Sequence, residues 1–376
     1  MVSTSRLRMA STLIRAGCGA SPAPTEPYAF RCPSAGRGDD VDHVLRRRLD
    51  LTAVAFPTSD ERSAASSPYL TYRGPFHAYW LARAGGIADE EYCALVERLD
   101  AEVARVDGHG FRPTPFARAD ELSRRMGFGL DGGVWVKDET GNVSGSHKAR
   151  HLFGLLVYLE VAERLGLADA GRRPHLDGLA VESGFTLGYE LAADLRDEPP
   201  LDRLVVQVGG GALASACVES LGEAVALGVL ARMPRFHAVQ TEGAWPLARA
   251  FQRLTARLPF GAGADERTAA LRYAATHRSE FMWPWESEPH SIAYGILDDE
   301  TYDWLAVVEG LFRTDGGPVV VGEELLARAN TLAVDATDVD VDPTGSSGLA
   351  GLLALRERGE ISDHERVAVL FTGIRR

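Results

Sequence analysis

The sequence has no run approaching the ~20 apolar residues that cross a bilayer as a helix, so no membrane partner is expected. Positive charge is in deficit. The formal net charge of -13 at pH 7 argues against a general nucleic-acid surface and against anionic membranes, and it leaves a small molecule as the expected partner. Cysteine is scarce: Cys18, Cys32, Cys93 and Cys217 are the four, and none forms a C-x-x-C pair. That spacing suits neither a disulfide framework nor a structural zinc site, so four free thiols in a reducing cytoplasm and no metal are expected. Residues 1–25 lack acids and carry Arg6, Arg8 and Arg15, but their apolar run is only Leu13-Ile14. This is too short for the core of a signal peptide and reads as a mobile tail. Finally, no Gly-Lys-Ser/Thr follows the glycine-rich loop, and there is no Gly-x-Gly-x-x-Gly with a ribose-binding acid, which favours a phosphate without a dinucleotide.

What is present is the length and patterning of an α/β enzyme. A chain of 376 residues buries a large core, as two or three domains or one large α/β domain. Residues 1–70 read as an N-terminal extension, partly disordered and with little core of its own, in which Val41–Leu45 is a short strand or a helix start. An aromatic group follows (Tyr69, Tyr72, Phe76, Tyr79, Trp80) whose spacing fits core packing better than a ligand box. Helical periodicity spans Asp89 to Val106, and Arg112-Pro113-Thr114-Pro115-Phe116 is an extended entry. Val134–Glu139 alternates like a strand, Leu152–Leu159 is a buried helix, residues 169–177 form a loop, and Leu179–Leu191 enters one further helix. Buried strands are then expected at Leu204–Val208, Phe236–Gln240, Pro318–Val321 and Val367–Phe371. Helices alternate with them at 214–227, 246–258, from Glu323, and at 349–356. This alternation predicts a parallel twisted sheet with helices on both faces.

Two segments carry chemistry. Gly209-Gly210-Gly211-Ala212-Leu213 joins a buried strand to a helix, and its backbone N–H groups form a phosphate cradle. Gly141 to Arg150 places Lys148 just inside a turn-to-helix junction, behind Ser144, Ser146 and His147. Such a lysine is ordinarily a solvated helix-start residue. Beside a second, phosphate-type loop on the same sheet, it reads as an amine able to form a Schiff base with an aldehyde cofactor that carries its own phosphate.

The motifs resemble one family. Lys137-Asp138-Glu139 with Asn142-x-Ser144-Gly145-Ser146-x-Lys148 is similar to the K-x-E-x-x-N-x-T/S-G-S-F-K motif of fold-type-II pyridoxal-phosphate enzymes, the group of threonine synthase, serine/threonine dehydratase and tryptophan synthase beta. Arg112–Phe116 resembles their R-x-T-P-L entry, and Glu182 to Glu190 their G-x-G-T-x-x-x-E helix. Gly209–Leu213 resembles their phosphate loop, and Phe371-Thr372-Gly373 the final strand end of threonine synthases. The resemblance implies pyridoxal 5'-phosphate as cofactor, held covalently by Lys148, with its phosphate on Gly209, Gly210, Gly211, Ala212 and Leu213. It implies that Thr372, a neutral hydroxyl, meets the ring nitrogen and favours β-elimination or replacement over transamination. Ser144, Ser146 and His147 become candidate substrate contacts, the serines being equally open to a helix-capping role. Lys148 would also move the α-proton of a small amino acid, in a cytoplasmic homodimer.

The pattern departs from the family in three places. His147 stands where relatives carry Phe, as a packing substitute or a local acid/base, and Ala149 stands where they carry Asp; the third departure is a missing loop. Relatives carry an S/A-G-N loop between the lysine and the phosphate loop, and the interval from Lys148 to Gly209 has no such segment. Residues 71–190 are therefore expected to form a reduced smaller domain carrying the lysine, and 191–376 a larger domain carrying the phosphate loop. Two alternatives stand beside the lyase or synthase reading: a truncated, inactive paralogue that binds cofactor or a partner subunit, and a phosphate binder without pyridoxal chemistry. Trp283–Ser291, dense in aromatic and polar groups, is open to pocket lining, an oligomer contact or core packing.

Overall fold

The structure, a computed structural model, describes residues 9–23, 32–65, 67–167 and 177–376. Most of the loop expected at 169–177 and the first eight residues of the expected tail lie outside these. Residues 9–23 of the tail are structured, and its residues 24 and 25 also lie outside the described ones. β1 (Ser11–Arg15) pairs antiparallel with β2 (Leu45–Leu49), Ser11 facing Leu49. Leu13 and Leu45 are buried with Tyr69, Phe76, Tyr92 and Phe153, so residues expected to carry little core contribute to one. Their alternation was too short to stand out from the polar residues around it.

The main sheet has six strands: β3 (Phe116–Arg118), β4 (Gly133–Asp138), β5 (Arg203–Gln207), β6 (Arg235–Thr241), β7 (Gly317–Val321) and β8 (Arg366–Phe371). Their spatial order is β3-β4-β8-β5-β6-β7, with β3 antiparallel to β4 and every other pair parallel. Strand periodicity of two explains how both faces are sealed. Leu204 and Val206 of β5 and Leu370 of β8 enter one core with the helices Ala212–Ala226, Pro246–Thr255 and Trp304–Arg313. Val205, Val367 and Val369 enter the other, against Glu323–Thr337 and Ser347–Glu357. Each fully buried Val or Leu contributes about 1.5–3 kcal/mol, and both layers depend on these strands staying in register. β3 and β4, from the 71–190 stretch, share this sheet with strands from 191–376.

The expected lysine helix is present and longer than 152–159, running Lys148–Arg164; at Gly154 a Cβ would clash with the Ser183 side chain, so glycine there lets a neighbouring helix pack close. A second helix differs from expectation. The single helix expected over 179–191 is two, Asp177–Ser183 and Phe185–Asp194. Ser183 Oγ bonds back to the Leu179 carbonyl at 2.8 Å, a bond that bends helices, and Gly184 meets the His151 ring where a Cβ would overlap it. Among the described residues, no strand lies between the lysine helix and β5. None of the described helices is long and apolar enough to cross a membrane.

Candidate functional site

The order β4-β8-β5 brings three carboxyl strand ends side by side, which is where open α/β sheets bind ligands. Each end contributes one part of the site. After β4, Asn142 Oδ1 accepts the Val143 N–H at 2.9 Å, and Ser144 and Gly145 take left-handed conformations at φ 56° and 62°. The chain reverses there and meets the end of β8. Ser146 bridges Gly373, and the His147 N–H donates to the Thr372 carbonyl at 3.3 Å. The His147 ring contacts the same carbonyl through Nδ1 at 3.2 Å. Loss of hydration, then the neighbouring His151 charge, pushes the His147 pKa down to about 3, so near neutrality the ring is uncharged and Nδ1 is its donor. Lys148 follows, with an exposed side chain.

After β5 comes the glycine loop. Gly211 sits at φ 100°, and a Cβ on Gly209, Gly210 or Gly211 would clash with the Asp298 carboxylate, lie 3.1 Å from the Tyr302 ring or lie 3.0 Å from Thr301 Cγ2, respectively. The crowding requires glycine at this turn. Thr301 Oγ1 donates to the Gly209 carbonyl at 2.9 Å, and the helix Ala212–Ala226 starts here without a side-chain cap, its first residues Ala212 and Leu213 lining the same space. Asp298 lies against the loop. Burial raises its pKa, against the opposing effects of the Gly210 N–H bond and of Lys148.

Between these two parts stands Thr372, buried at the end of β8. Its Oγ1 accepts Gln207 Nε2 at 2.6 Å, which leaves the hydroxyl proton free to be donated. Lys148, Gly209 to Leu213, Gln207 and Thr372 line one cavity of about 360 Å³ with His147, His151, Thr344 and Asp298. Ser144 and Ser146 line an adjoining cavity of about 270 Å³ that shares Lys148 and Thr372. The Ser144 N–H is already held by Asp107 at 2.9 Å, and Ser146 Oγ accepts the Lys148 N–H at 3.3 Å.

Beneath the turn lies a charge network. Lys137 Nζ donates to Glu190 and to the Thr114 carbonyl, both at 2.7 Å. Arg150 donates to Glu139 at 2.8 Å and to Glu190 at 2.6 Å. All four charged groups are buried, two cations balancing two anions. The chain contains only two lysines. With Lys137 committed to this network, Lys148 is, among the described residues, the lysine with an open ammonium; composition alone gives the count of two, and the structure tells them apart. Arg150, His151, Gln207, Thr344 and Asp298 were not singled out in the sequence; Gln207 was visible only as a polar end to an apolar strand. Trp283–Glu286 packs around Arg249, whose guanidinium lies 3.7 Å from the Trp283 ring centre and bonds Glu286 at 2.9 Å, and it does not line the cavity.

Residues 171–373 match the family described as pyridoxal-phosphate dependent enzyme. The chain belongs to this family. The match takes in the glycine loop and Thr372 and begins after Lys148. This pyridoxal-phosphate-dependent enzyme is similar to the threonine synthase of Methanocaldococcus jannaschii, at 24% identity over 193 residues covering 51% of this chain and 41% of the relative. It is likewise similar to that of Methanosarcina acetivorans, at 26% over 195 residues with the same shares. The aligned part thus spans about two fifths of these relatives' length. The solved structure of a threonine deaminase from T.th. has a TM-score of 0.50 at 19% identity, over 75% of this chain and 97% of that one. That likeness is one of fold, the fold-type-II arrangement.

Proposed function

We propose that the 360 Å³ cavity binds pyridoxal 5'-phosphate and a small amino acid, for β-elimination or a threonine-synthase-like replacement. The observation that carries this is the meeting of Lys148, the glycine loop and Thr372 on one cavity. The residues fit the cofactor. Gly209, Gly211, Ala212 and Leu213 offer N–H donors and a helix N-terminus to a phosphate, and Gly210, whose N–H bonds Asp298, leaves room where a side chain would clash. Thr372 Oγ1, fixed by Gln207, offers a proton to a ring nitrogen without carrying charge. Lys148 Nζ is the amine for the aldehyde carbon, and it takes and returns the substrate α-proton. When bound, the cofactor supplies the electron sink that makes this proton acidic. His147 holds the lysine turn against Thr372, while Ser144 and Ser146 bound the adjoining cavity, where a substrate carboxylate fits. The enzyme is read as a cytoplasmic homodimer, with 71–190 as its smaller unit and 191–376 as its larger.

A second reading rests on the exposed Lys148 and on the absence, among the described residues, of strands between the lysine helix and β5: a reduced paralogue that binds cofactor without turnover. Two measurements decide. Wild-type protein with added cofactor develops yellow absorbance and Lys148→Ala does not; colourless wild type that takes up no cofactor overturns the cofactor site. Turnover of serine, threonine or O-phosphohomoserine refutes the paralogue reading, and uptake without turnover of any of them refutes the enzymatic one.

A further inference from the structure

On the side of the molecule where the hairpin begins, three side chains converge that have no part in the cofactor site. Cys18 and Cys32 place their sulfurs 3.5 Å apart, and one ring nitrogen of His43 lies within 4.8 Å of both. The sulfur separation is too long for a disulfide bond of about 2.05 Å. It is close to the ~3.8 Å edge of a tetrahedron with Zn–S bonds of about 2.3 Å. Nε2 of His43 is taken by Asp39 at 2.8 Å. Nδ1 is buried and has no hydrogen-bond partner, which leaves it as the available donor atom. A metal-binding histidine has this form: the far ring nitrogen donates to a carboxylate, which fixes the tautomer and keeps the near lone pair free.

The surrounding backbone holds the three groups in place. Asp39 also accepts the Val41 N–H at 3.0 Å, and the Gly17 N–H donates to the Asp42 carbonyl at 2.7 Å. The Asp42 carboxylate accepts the Trp304 indole N–H at 3.1 Å. One ligand therefore follows β1 and two precede β2, and Asp42, beside His43, ties the loop to the helix Trp304–Arg313.

We propose that Cys18, Cys32 and His43 bind one thiolate-seeking divalent cation, zinc in the first instance, with Asp39 orienting His43 and the fourth position open to water. The ion joins both ends of the hairpin loop and fixes β2, whose Arg47 meets Glu223 at 2.5 Å and Glu182 at 3.3 Å. Zinc prefers such a soft sulfur and imidazole set, whereas magnesium and calcium require oxygen.

The test uses the full chain, purified under reducing conditions and titrated with Zn²⁺ alone and with Co²⁺ alone. The expected result is one metal per chain by elemental analysis, with a thiolate-to-cobalt charge-transfer band. Cys32→Ser and His43→Ala weaken binding by at least a hundredfold. Asp39→Asn keeps the stoichiometry with about 10–100-fold weaker affinity, and Lys148→Ala leaves metal binding unchanged. A wild-type chain that takes up no cobalt while both thiols react as free overturns the site. So does a band that survives unchanged in a Cys18→Ser/Cys32→Ser double variant, or a Cys18–Cys32 disulfide that forms equally well with zinc present.

Discussion

Lys148 stands out through its neighbours more than through its own surroundings, since its side chain is exposed and the groups that match a cofactor come from two other strand ends. Gln207 is the least obvious of these. Its amide fixes Thr372 Oγ1 as an acceptor at 2.6 Å, so Gln207→Leu frees the hydroxyl to turn its proton elsewhere. Loss of one such hydrogen bond is worth about 0.5–1.5 kcal/mol. The cofactor Kd of that variant is expected to rise by roughly three- to tenfold with the yellow colour retained, as read by absorbance titration; an unchanged Kd refutes the positioning role. Asp298 acts in the opposite sense, its carboxylate lying against the loop that is to receive a phosphate. Asp298→Asn should bind inorganic phosphate and the cofactor several-fold more tightly, and calorimetric titration showing equal or weaker binding contradicts this. Lys148, the glycines and Thr372 were legible in the sequence because each lies in an ordered local motif. Gln207 and Asp298 were not, because the first acts only through the strand beside it and the second reaches the loop from a segment without periodicity.

At the scale of elements, the lysine turn rests on the buried network of Lys137, Glu139, Arg150 and Glu190, which joins β4, the lysine helix and the helix Phe185–Asp194. Removing one partner of such a set strands a buried charge at a cost of about 3–5 kcal/mol. Glu190→Gln is therefore expected to lower the unfolding free energy by that amount, measured by urea denaturation; a loss below about 1 kcal/mol would mean that the charges are not paired as described. The sequence exposed Lys137, Glu139 and Glu190 as motif letters but neither Arg150 nor the pairing, which depends on where three elements cross. It also missed the break at Gly184, because the apolar spacing continues through it and only the approach of His151 requires a glycine.

Across the whole molecule, the parallel sheet was legible because its strands are sealed on both faces and read as continuous apolar runs. The β1–β2 hairpin was not, because only Leu13 and Leu45 of its ten residues enter the core. Two histidines link this architecture to pH. Burial and then Arg47 push His77 down to about 4, and burial and then Arg203 and Arg235 push His237 down to about 4. Both folded values lie below the unfolded 6.5, so the stability they contribute is present above pH 6.5 and is lost as the pH falls toward 4. Each contributes a slope of up to about 1.4 kcal/mol per pH unit. A His77→Gln/His237→Gln variant should show a pH dependence of urea stability shallower by up to about 3 kcal/mol per unit in that window, and equal slopes would contradict the assignment.

The central claim is that one amine, one phosphate loop and one neutral hydroxyl act on a single cofactor. With only two lysines in the chain, the direct measurement is borohydride reduction of the cofactor-loaded protein followed by peptide mass spectrometry. The account predicts the reduced pyridoxyl-phosphate mass on the peptide containing Lys148 and on no other. The same mass on Lys137 or on the terminal amine, or none at all on a protein that binds the cofactor, would contradict it.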